Sequence, residues 1–153
     1  MRRQLIDVTT STAAGPAAVY ELLTNGGTWP DWAPIDSFEL EQEGAGRPEG
    51  IGAVRVFRRG RTEGRDTIVE LATDRSFGYT HVSKLPIRDY RADVDLEPDG
   101  SGTRIRWRAS FTPTVPGMGL LLRLALGRFL RQCAEGLADH ATGPRVRTQE
   151  AGR

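Results

Sequence analysis

Two tyrosines and one histidine are the side chains of this sequence that are best placed to do chemistry. In the stretch 77–83, odd-numbered positions share one side of a strand, so Tyr79 and His81 face the same way as Phe77. The following strand brings Tyr90 close to His81. On the wall of an apolar cavity, phenols and an imidazole orient a polar ligand group or transfer a proton. The alternative is that Tyr79, His81 and Tyr90 are satisfied core groups, or meet water at a hairpin end.

Other chemistries have little support in the residue pattern. His81 and His140 are the only histidines; neither stands at metal-ligand spacing from another ligand, and the only cysteine is Cys133. The chain has no phosphate-binding glycine loop, no paired-cysteine site and no serine nucleophile elbow. We therefore expect neither a metal nor a cofactor, and nucleophilic catalysis is unsupported.

Three charged residues in the middle of the chain are expected at the surface. Val54 and Val56 are expected to occupy the inner face of their strand, which directs Arg55 outward. Glu63 and Asp66 flank a turn and are interpreted as surface charges rather than as an acid/base pair.

The strands that position these groups are clearest between residues 88 and 111. Apolar and charged residues alternate on both sides of the turn 98–102, which indicates a hairpin with one wet and one dry face. One register pairs opposite charges on the wet face: Glu97–Arg104, Asp95–Arg106 and Asp93–Arg108. The same register pairs apolar groups on the dry face: Leu96–Ile105, Val94–Trp107 and Tyr90–Phe111. A one-residue slip would mix the two faces, so the arginine row is predicted to be a solvated ladder rather than a nucleic-acid stripe.

The remaining elements follow from turn signals and periodicity. A strand is predicted over residues 4–11, and further strands over 35–43, 51–58, 65–72 and 76–83, which makes seven with the hairpin. A short helix begins at Gly15-Pro16 and ends at Asn25-Gly26-Gly27, and a second short helix or turn follows at Trp29–Trp32. A long helix is predicted from about Gly117 to His140. Residues 1–141 are expected to form one domain, and residues 142–153 a polar, disordered tail.

The long helix carries an apolar stripe that is interpreted either as core or as an adaptable ligand-facing wall. Its members are Met118, Leu122, Ala125, Phe129, Cys133, Gly136 and His140. Leu120-Leu121-Leu122 makes the start of the helix apolar on several sides, as in a mobile gate, a membrane-surface contact or a dimer patch. The candidate ligand-binding residues are Trp32, Val54, Val56, Tyr79, His81, Tyr90, Trp107, Met118, Leu122 and Phe129.

Composition limits the classes of partner. The 153 residues carry a net charge of +1, so no overall field attracts nucleic acid. The lone Cys133 favours a reducing compartment, and no signal peptide or transmembrane stretch is visible, so we expect a cytoplasmic protein without stable membrane insertion. Either a monomer or a homodimer is compatible with the pattern.

Several local strings resemble the polyketide cyclase/dehydrase branch of the START-related, birch-pollen-allergen-like superfamily. The resemblance covers roughly residues 3–140. It is carried by Ala18–Thr24 running into Trp29-Pro30-Asp31-Trp32, by Gly50–Arg55, Phe77–Thr80, Tyr90–Val94 and Gly102–Trp107, and by the closing 119–140 helix.

The resemblance implies an α+β helix-grip fold, in which a seven-stranded curved antiparallel sheet wraps around the long C-terminal helix, with two short helices after the first strand. It also implies a cavity for a small, largely hydrophobic molecule, whether aromatic, polyketide-like or lipid-like. The alternatives are a cyclase or dehydratase that uses Tyr79, His81 or Tyr90 as acid or base, and a protein-interaction module. No catalytic residue is transferred by motif, because these polar side chains differ between subfamilies.

Overall fold

A computed structural model describes the backbone of residues 2–151 and the side chains of residues 2–143. It has seven antiparallel strands in the order β1-β7-β6-β5-β4-β3-β2, and a long C-terminal helix. This is the predicted helix-grip fold, with the two short helices after the first strand. The strands are β1 (Gln4–Thr12), β2 (Ser37–Gln42), β3 (Val54–Arg59), β4 (Thr62–Ala72), β5 (Ser76–Ser83), β6 (Ile87–Asp99) and β7 (Gly102–Pro113). The helices are α1 (Pro16–Thr24), α2 (Trp29–Trp32) and α3 (Gly119–Ala151), with a 3₁₀ turn at Gly26–Thr28.

The register predicted for the last hairpin is correct over most of its length. Pairing from Arg91–Ser110 to Asp99–Gly102 follows the predicted alignment, but the register shifts between Arg88 and Arg91. Asp89 takes a positive φ of 54° there, which is the local irregularity that a period-two pattern does not reveal. Tyr90 and Phe111 are therefore not paired through their backbones, although their rings stack at 6.4 Å.

The outer face of the sheet carries a ladder of ion pairs, in which Arg104–Glu97 is the one pair with the predicted partners and Asp93 pairs with Arg91 instead of Arg108. Arg104 donates to Glu97 at 2.9 Å, and Arg108 contacts Asp95 diagonally. Arg106 pairs with Asp7 of β1 at 2.7 Å instead of with Asp95, because β1 lies on its other side. These side chains are about half exposed, so each ion pair contributes little to the free energy of unfolding. The main effect of the ladder is that this face of the sheet stays in contact with water.

The long helix covers one half of the inner face more closely than the other. α3 packs against β1 and β7 and against α1 and α2, and among the described residues its backbone makes few or no close approaches to β3–β6. The hydroxyl of Thr12 donates to the carbonyl of Ala138 at 2.8 Å and ties β1 to the helix. The inner face of β3–β6 is consequently covered by large side chains and by the two short helices.

The end of the helix differs from the prediction. α3 extends to Ala151, so the tail predicted over 142–153 begins inside a helix. The side chains from 144 onward and residues 152 and 153 lie outside the described residues. Within the described part, no helix is long and apolar enough to cross a bilayer.

The contact between α2 and α3 depends on a glycine. A Cβ built on Gly136 would lie 1.9 Å from the carbonyl oxygen of Trp32, whereas one built on Gly127 would meet nothing closer than Ile6 at 3.9 Å. We expect Gly136→Ala to lower the free energy of unfolding by about 1–3 kcal/mol, since backbone must move. Gly127→Ala should be neutral or stabilising, because alanine favours the helix. Urea unfolding of both variants tests this, and equal effects would contradict it.

Candidate functional site

Four polar side chains form one row across the inner face of the sheet. The Cα pairing joins Arg55 to Asp66, Asp66 to His81 and His81 to Tyr90, so the row crosses β3, β4, β5 and β6. Directly opposed side chains of antiparallel strands lie about 4.5–5.5 Å apart at Cβ, close enough to interact. We call Arg55, Asp66, His81 and Tyr90 the polar row. The sequence pattern found two of its four members.

The centre of the row is a carboxylate–imidazole pair. Oδ1 of Asp66 lies 2.6 Å from Nδ1 of His81, and the side chains are 8% and 24% exposed. An ionised carboxylate only accepts hydrogen bonds, so the Nδ1 position carries the proton in this pair. In neutral His81, Nε2 then keeps its lone pair, and it has no hydrogen-bond partner among the described residues. The carboxylate of Asp66 thus holds the imidazole at Nδ1 and leaves Nε2 as the atom that can accept a proton.

A glycine in the neighbouring strand makes room for this imidazole. A Cβ on Gly64 would lie 2.3 Å from Cε1 of His81. A larger residue at position 64 would displace the imidazole ring and with it the contact to Asp66.

The two tyrosines are hydrogen-bond donors rather than bases. Tyr79 and Tyr90 are 4% and 6% exposed, and the indole Nε1 of Trp107 donates to the Tyr79 hydroxyl at 3.2 Å. Burial raises the pKa of both phenols well above the ordinary value, and the charge of Asp66 acts in the same direction. Both side chains therefore stay neutral, and the Tyr90 ring lies 5.3 Å from the His81 ring.

The single thiol is inert. Cys133 of α3 is fully buried, and burial raises the pKa of its thiol well above the ordinary value. A protonated, enclosed thiol is a weak nucleophile.

The prediction that Arg55 points outward is wrong. Arg55 is 1% exposed and faces the interior together with Phe57, while Val54 and Val56 belong to the opposite face of β3. Val56 is nevertheless buried, at 1% exposure, and is paired with Arg65 on that face. The inner-wall role predicted for the two valines loses its geometric basis, because a strand that carries valine at alternate positions does not by itself reveal which face is covered.

Compensating contacts explain how Arg55 is accommodated. Nη1 of Arg55 donates to the carbonyl of Leu23 at 3.1 Å, and Nε lies 3.5 Å from Glu49. Its guanidinium carbon lies 4.9 Å from the ring centre of Trp29 and 5.1 Å from that of Phe57. Burial lowers the pKa of Arg55 to about 10, against the opposing charge of Glu49, so it stays cationic at neutral pH. Nε and Nη2 make no hydrogen bond within the described structure.

The interpretation of Asp66 as a surface charge is also wrong. Asp66 is 6% exposed, because its position in β4 faces the interior. Glu63, in contrast, lies on the surface and pairs with Arg58 and Arg65. Alternation along β4 distinguishes the two carboxylates, because Asp66 shares the inner face with Gly64 and Ile68 whereas Glu63 lies on the opposite face.

The candidate ligand-binding residues Trp32 and Trp107 pack with Trp29 and Tyr79 in one aromatic cluster. The ring of Trp29 lies 4.6 Å from Trp32 and 5.8 Å from Trp107, and 6.4 Å from Tyr79. All four side chains are nearly inaccessible, with 7% exposure or less. The space beneath the short helices is therefore occupied by the protein's own rings.

The predicted wall residues of α3 differ in exposure. Leu122 is buried, whereas Met118 and Phe129 are half-buried. The guanidinium carbon of Arg59 lies 6.0 Å from the centre of the Phe129 ring, so the end of β3 faces the middle of α3. Surface depressions of about 390 and 930 Å³ lie elsewhere, and neither includes a residue of the polar row. Within the described residues, no group of three or more metal-ligating side chains occurs.

The buried phenols predict a loss of stability at alkaline pH. In the unfolded chain Tyr90 ionises near 10.0, whereas the folded chain holds it neutral, so unfolding releases a proton and stability falls as the pH rises above 10. Each such group contributes a slope of roughly 1.4 kcal/mol per pH unit. Urea unfolding between pH 8 and pH 11 should show a shallower decline for Tyr90→Phe than for the parent.

Tyr20→Phe is the matched control for this measurement. Burial raises the pKa of Tyr20 less, so this variant should flatten the decline less than Tyr90→Phe. Arg55 acts with the opposite sign, because its pKa, lowered to about 10, makes stability rise as the pH increases above about 10. All three proteins contain Arg55, so comparing them cancels that contribution. An identical decline in all three proteins would contradict the prediction.

The fold is shared with solved structures of low sequence identity. The chain is similar to the Zhui aromatase/cyclase from Streptomyces sp. R1128, with a TM-score of 0.77, 15% identity and coverage of 92% of this chain and 94% of that one. It is similar to a START superfamily protein from Mycobacterium smegmatis, with a TM-score of 0.77, 14% identity and coverage of 90% and 96%. Truncated norcoclaurine synthase from Thalictrum flavum gives a TM-score of 0.74, 11% identity and coverage of 93% and 95%.

The family is established by the sequence itself. Among curated proteins, none matches the chain significantly. The profile of the family described as polyketide cyclase/dehydrase and lipid transport matches residues 3–142, which is nearly the whole chain. Together with the helix-grip architecture, this match places the chain in the polyketide cyclase/dehydrase and lipid transport family.

Proposed function

We propose that this protein binds a small, largely hydrophobic molecule that carries a polar oxygen, between the inner face of β4–β6 and α3. The observation that supports this is the polar row, in which Asp66, His81 and Tyr90 lie side by side on an otherwise apolar face. Buried polar groups cost free energy unless they have partners, so a row of them on an inner face is typical of a binding site.

The packing of the helix supports the same location. α3 lies on β1 and β7, and its backbone makes few or no close approaches to β3–β6 among the described residues, whereas the ring of Phe129 lies 6.0 Å from the guanidinium carbon of Arg59 at the end of β3. His81 is the accessible member of the row, at 24% side-chain exposure, and Met118 and Phe129 are half-buried apolar groups of α3. A ligand therefore reaches the row by displacing side chains, not backbone.

The hydrogen-bonding capacity of the row specifies the ligand chemistry. The neutral phenols of Tyr79 and Tyr90 donate, and Nε2 of His81 accepts. A hydroxyl or keto group on an aromatic or other apolar skeleton matches this pattern, and the surrounding rings of Trp107 and Phe111 provide apolar contact.

Binding of 2-naphthol, a hydroxylated aromatic probe, tests the proposal. Tryptophan fluorescence should report saturable binding, and Tyr90→Phe should raise the Kd about 3–10-fold through the loss of one hydrogen bond. Arg106→Gln, on the outer face, is the matched control and should leave the Kd unchanged. Absence of saturable binding, together with native mass spectrometry that finds no retained small molecule in freshly purified protein, would contradict the proposal.

A second function is favoured by one specific contact. The 2.6 Å hydrogen bond between Asp66 and His81 orients the imidazole as a general base, which a passive carrier does not need. In a cyclase or dehydratase reaction, Nε2 of His81 would take a proton from a carbon next to a carbonyl. The neutral phenol of Tyr90 would then donate a hydrogen bond to the enolate oxygen.

Deuterium exchange at the acidic methylene of 2-tetralone tests this function apart from binding. The parent protein should accelerate exchange measured by NMR, and His81→Gln and Asp66→Asn should each slow it by about 10²-fold or more. Binding of 2-naphthol should change much less in the same variants. Exchange no faster than in buffer, or losses of exchange and binding by the same factor, would leave only the binding function.

A further inference from the structure

The start of α3 exposes an unusual amount of apolar side chain to water. Leu120, Leu121 and Leu124 are 58%, 61% and 61% exposed. Two neighbouring loops add Leu85 and Val115, at 42% and 43% exposure. We call these five residues the apolar tip.

The tip is held together by backbone hydrogen bonds. The amide of Thr114 donates to the carbonyl of Pro86 at 2.9 Å, which joins the β5–β6 turn to the segment that precedes α3. The amide of Met118 donates to the carbonyl of Val115, and that of Leu122 donates to Met118. Leu85, Val115 and the first turn of α3 thus belong to one end of the molecule.

Basic side chains follow the leucines along the same face of the helix. Leu120, Leu124 and Arg128 recur every four residues, and Arg131 lies one turn further, so all four share a stripe. The arginines are exposed, and neither forms an ion pair with a described residue. The sequence between Asp99 and Glu135 contains no acidic residue, and Lys84 adjoins Leu85. This end of the molecule is therefore apolar at its tip and cationic behind it.

We propose that the apolar tip, together with Arg128 and Arg131, docks this protein reversibly onto an anionic lipid surface. Exposed leucines insert into the boundary between headgroups and acyl chains, while guanidinium groups one or two turns away meet the lipid phosphates. Charge favours an anionic partner for this surface, because Arg128 and Arg131 are exposed and form no ion pair with a described residue, and the stripe carries no carboxylate before Glu135.

Docking at this surface is independent of the proposed function, since it needs no group of the polar row. Exposure of these leucines costs little folding stability, because their side chains contact water in the unfolded chain as well as in the folded protein.

Vesicle co-sedimentation tests the docking. The full chain should bind vesicles of phosphatidylcholine with 30% phosphatidylserine about tenfold or more tightly than vesicles of phosphatidylcholine alone, and 0.5 M NaCl should reduce this binding. The triple variant Leu120→Ser, Leu121→Ser, Leu124→Ser should lose about tenfold or more, as should Arg128→Glu with Arg131→Glu.

Matched controls separate docking from general effects. Leu5→Ser removes a leucine that is 70% exposed on β1, and Arg75→Glu reverses an exposed arginine far along the chain from α3. Both should bind like the parent, and thermal unfolding should show that all variants are folded. Equal binding to both kinds of vesicle, no binding to either, or equal losses in the controls would overturn the proposal. So would light scattering that shows a dimer abolished by the leucine variant while vesicles are not bound.

Discussion

The burial of the Asp66 carboxylate is the constraint on which the inner face of the sheet depends. A carboxylate that is 6% exposed needs a partner, and the structure supplies the imidazole of His81 at 2.6 Å, while the cationic Arg55 occupies the paired position of the next strand without a direct ion pair. The same negative charge helps to keep the neighbouring phenols Tyr79 and Tyr90 neutral. Burial is the larger cause of the raised pKa of both phenols, and the buried charge adds to it.

Arg55 shows how the interior tolerates a second buried charge. Its guanidinium is held by aromatic faces and one carbonyl, with the carboxylate of Glu49 nearby, and two of its donor nitrogens stay without hydrogen bonds. Cationic and anionic groups thus occupy adjacent positions of the row without a direct ion pair, a pattern in which each retains capacity for a further partner. The position of α3 also shapes the candidate site. This helix packs on β1 and β7, so the polar row is covered by side chains and not by helix backbone.

The hairpin and the long helix were predictable because their signals are local. Alternation and opposite charges specify the pairing of Asp93–Asp99 with Gly102–Arg108, and the apolar stripe specifies α3. The irregularity at Asp89 was not predictable, because a positive φ at one residue leaves no trace in a period-two pattern. The burial of Arg55 and Asp66 was not predictable for a related reason. The valines on either side of Arg55 favour an inner face for themselves, and a position beside a turn favours solvent for Asp66, whereas the partners that permit burial lie on other segments of the chain.

By itself, the sequence determined the class of the elements, their order, the inward position of Tyr79, His81 and Tyr90, and the family. The tertiary structure decided which charged residues join them, since the polar row exists only where four strands align in register. Side-chain direction along one strand follows from local periodicity, whereas the identity of the facing residue depends on the pairing of segments distant in the chain. The sequence therefore predicts which way a side chain of a strand points, whereas the residue that it faces is known only from the assembled sheet.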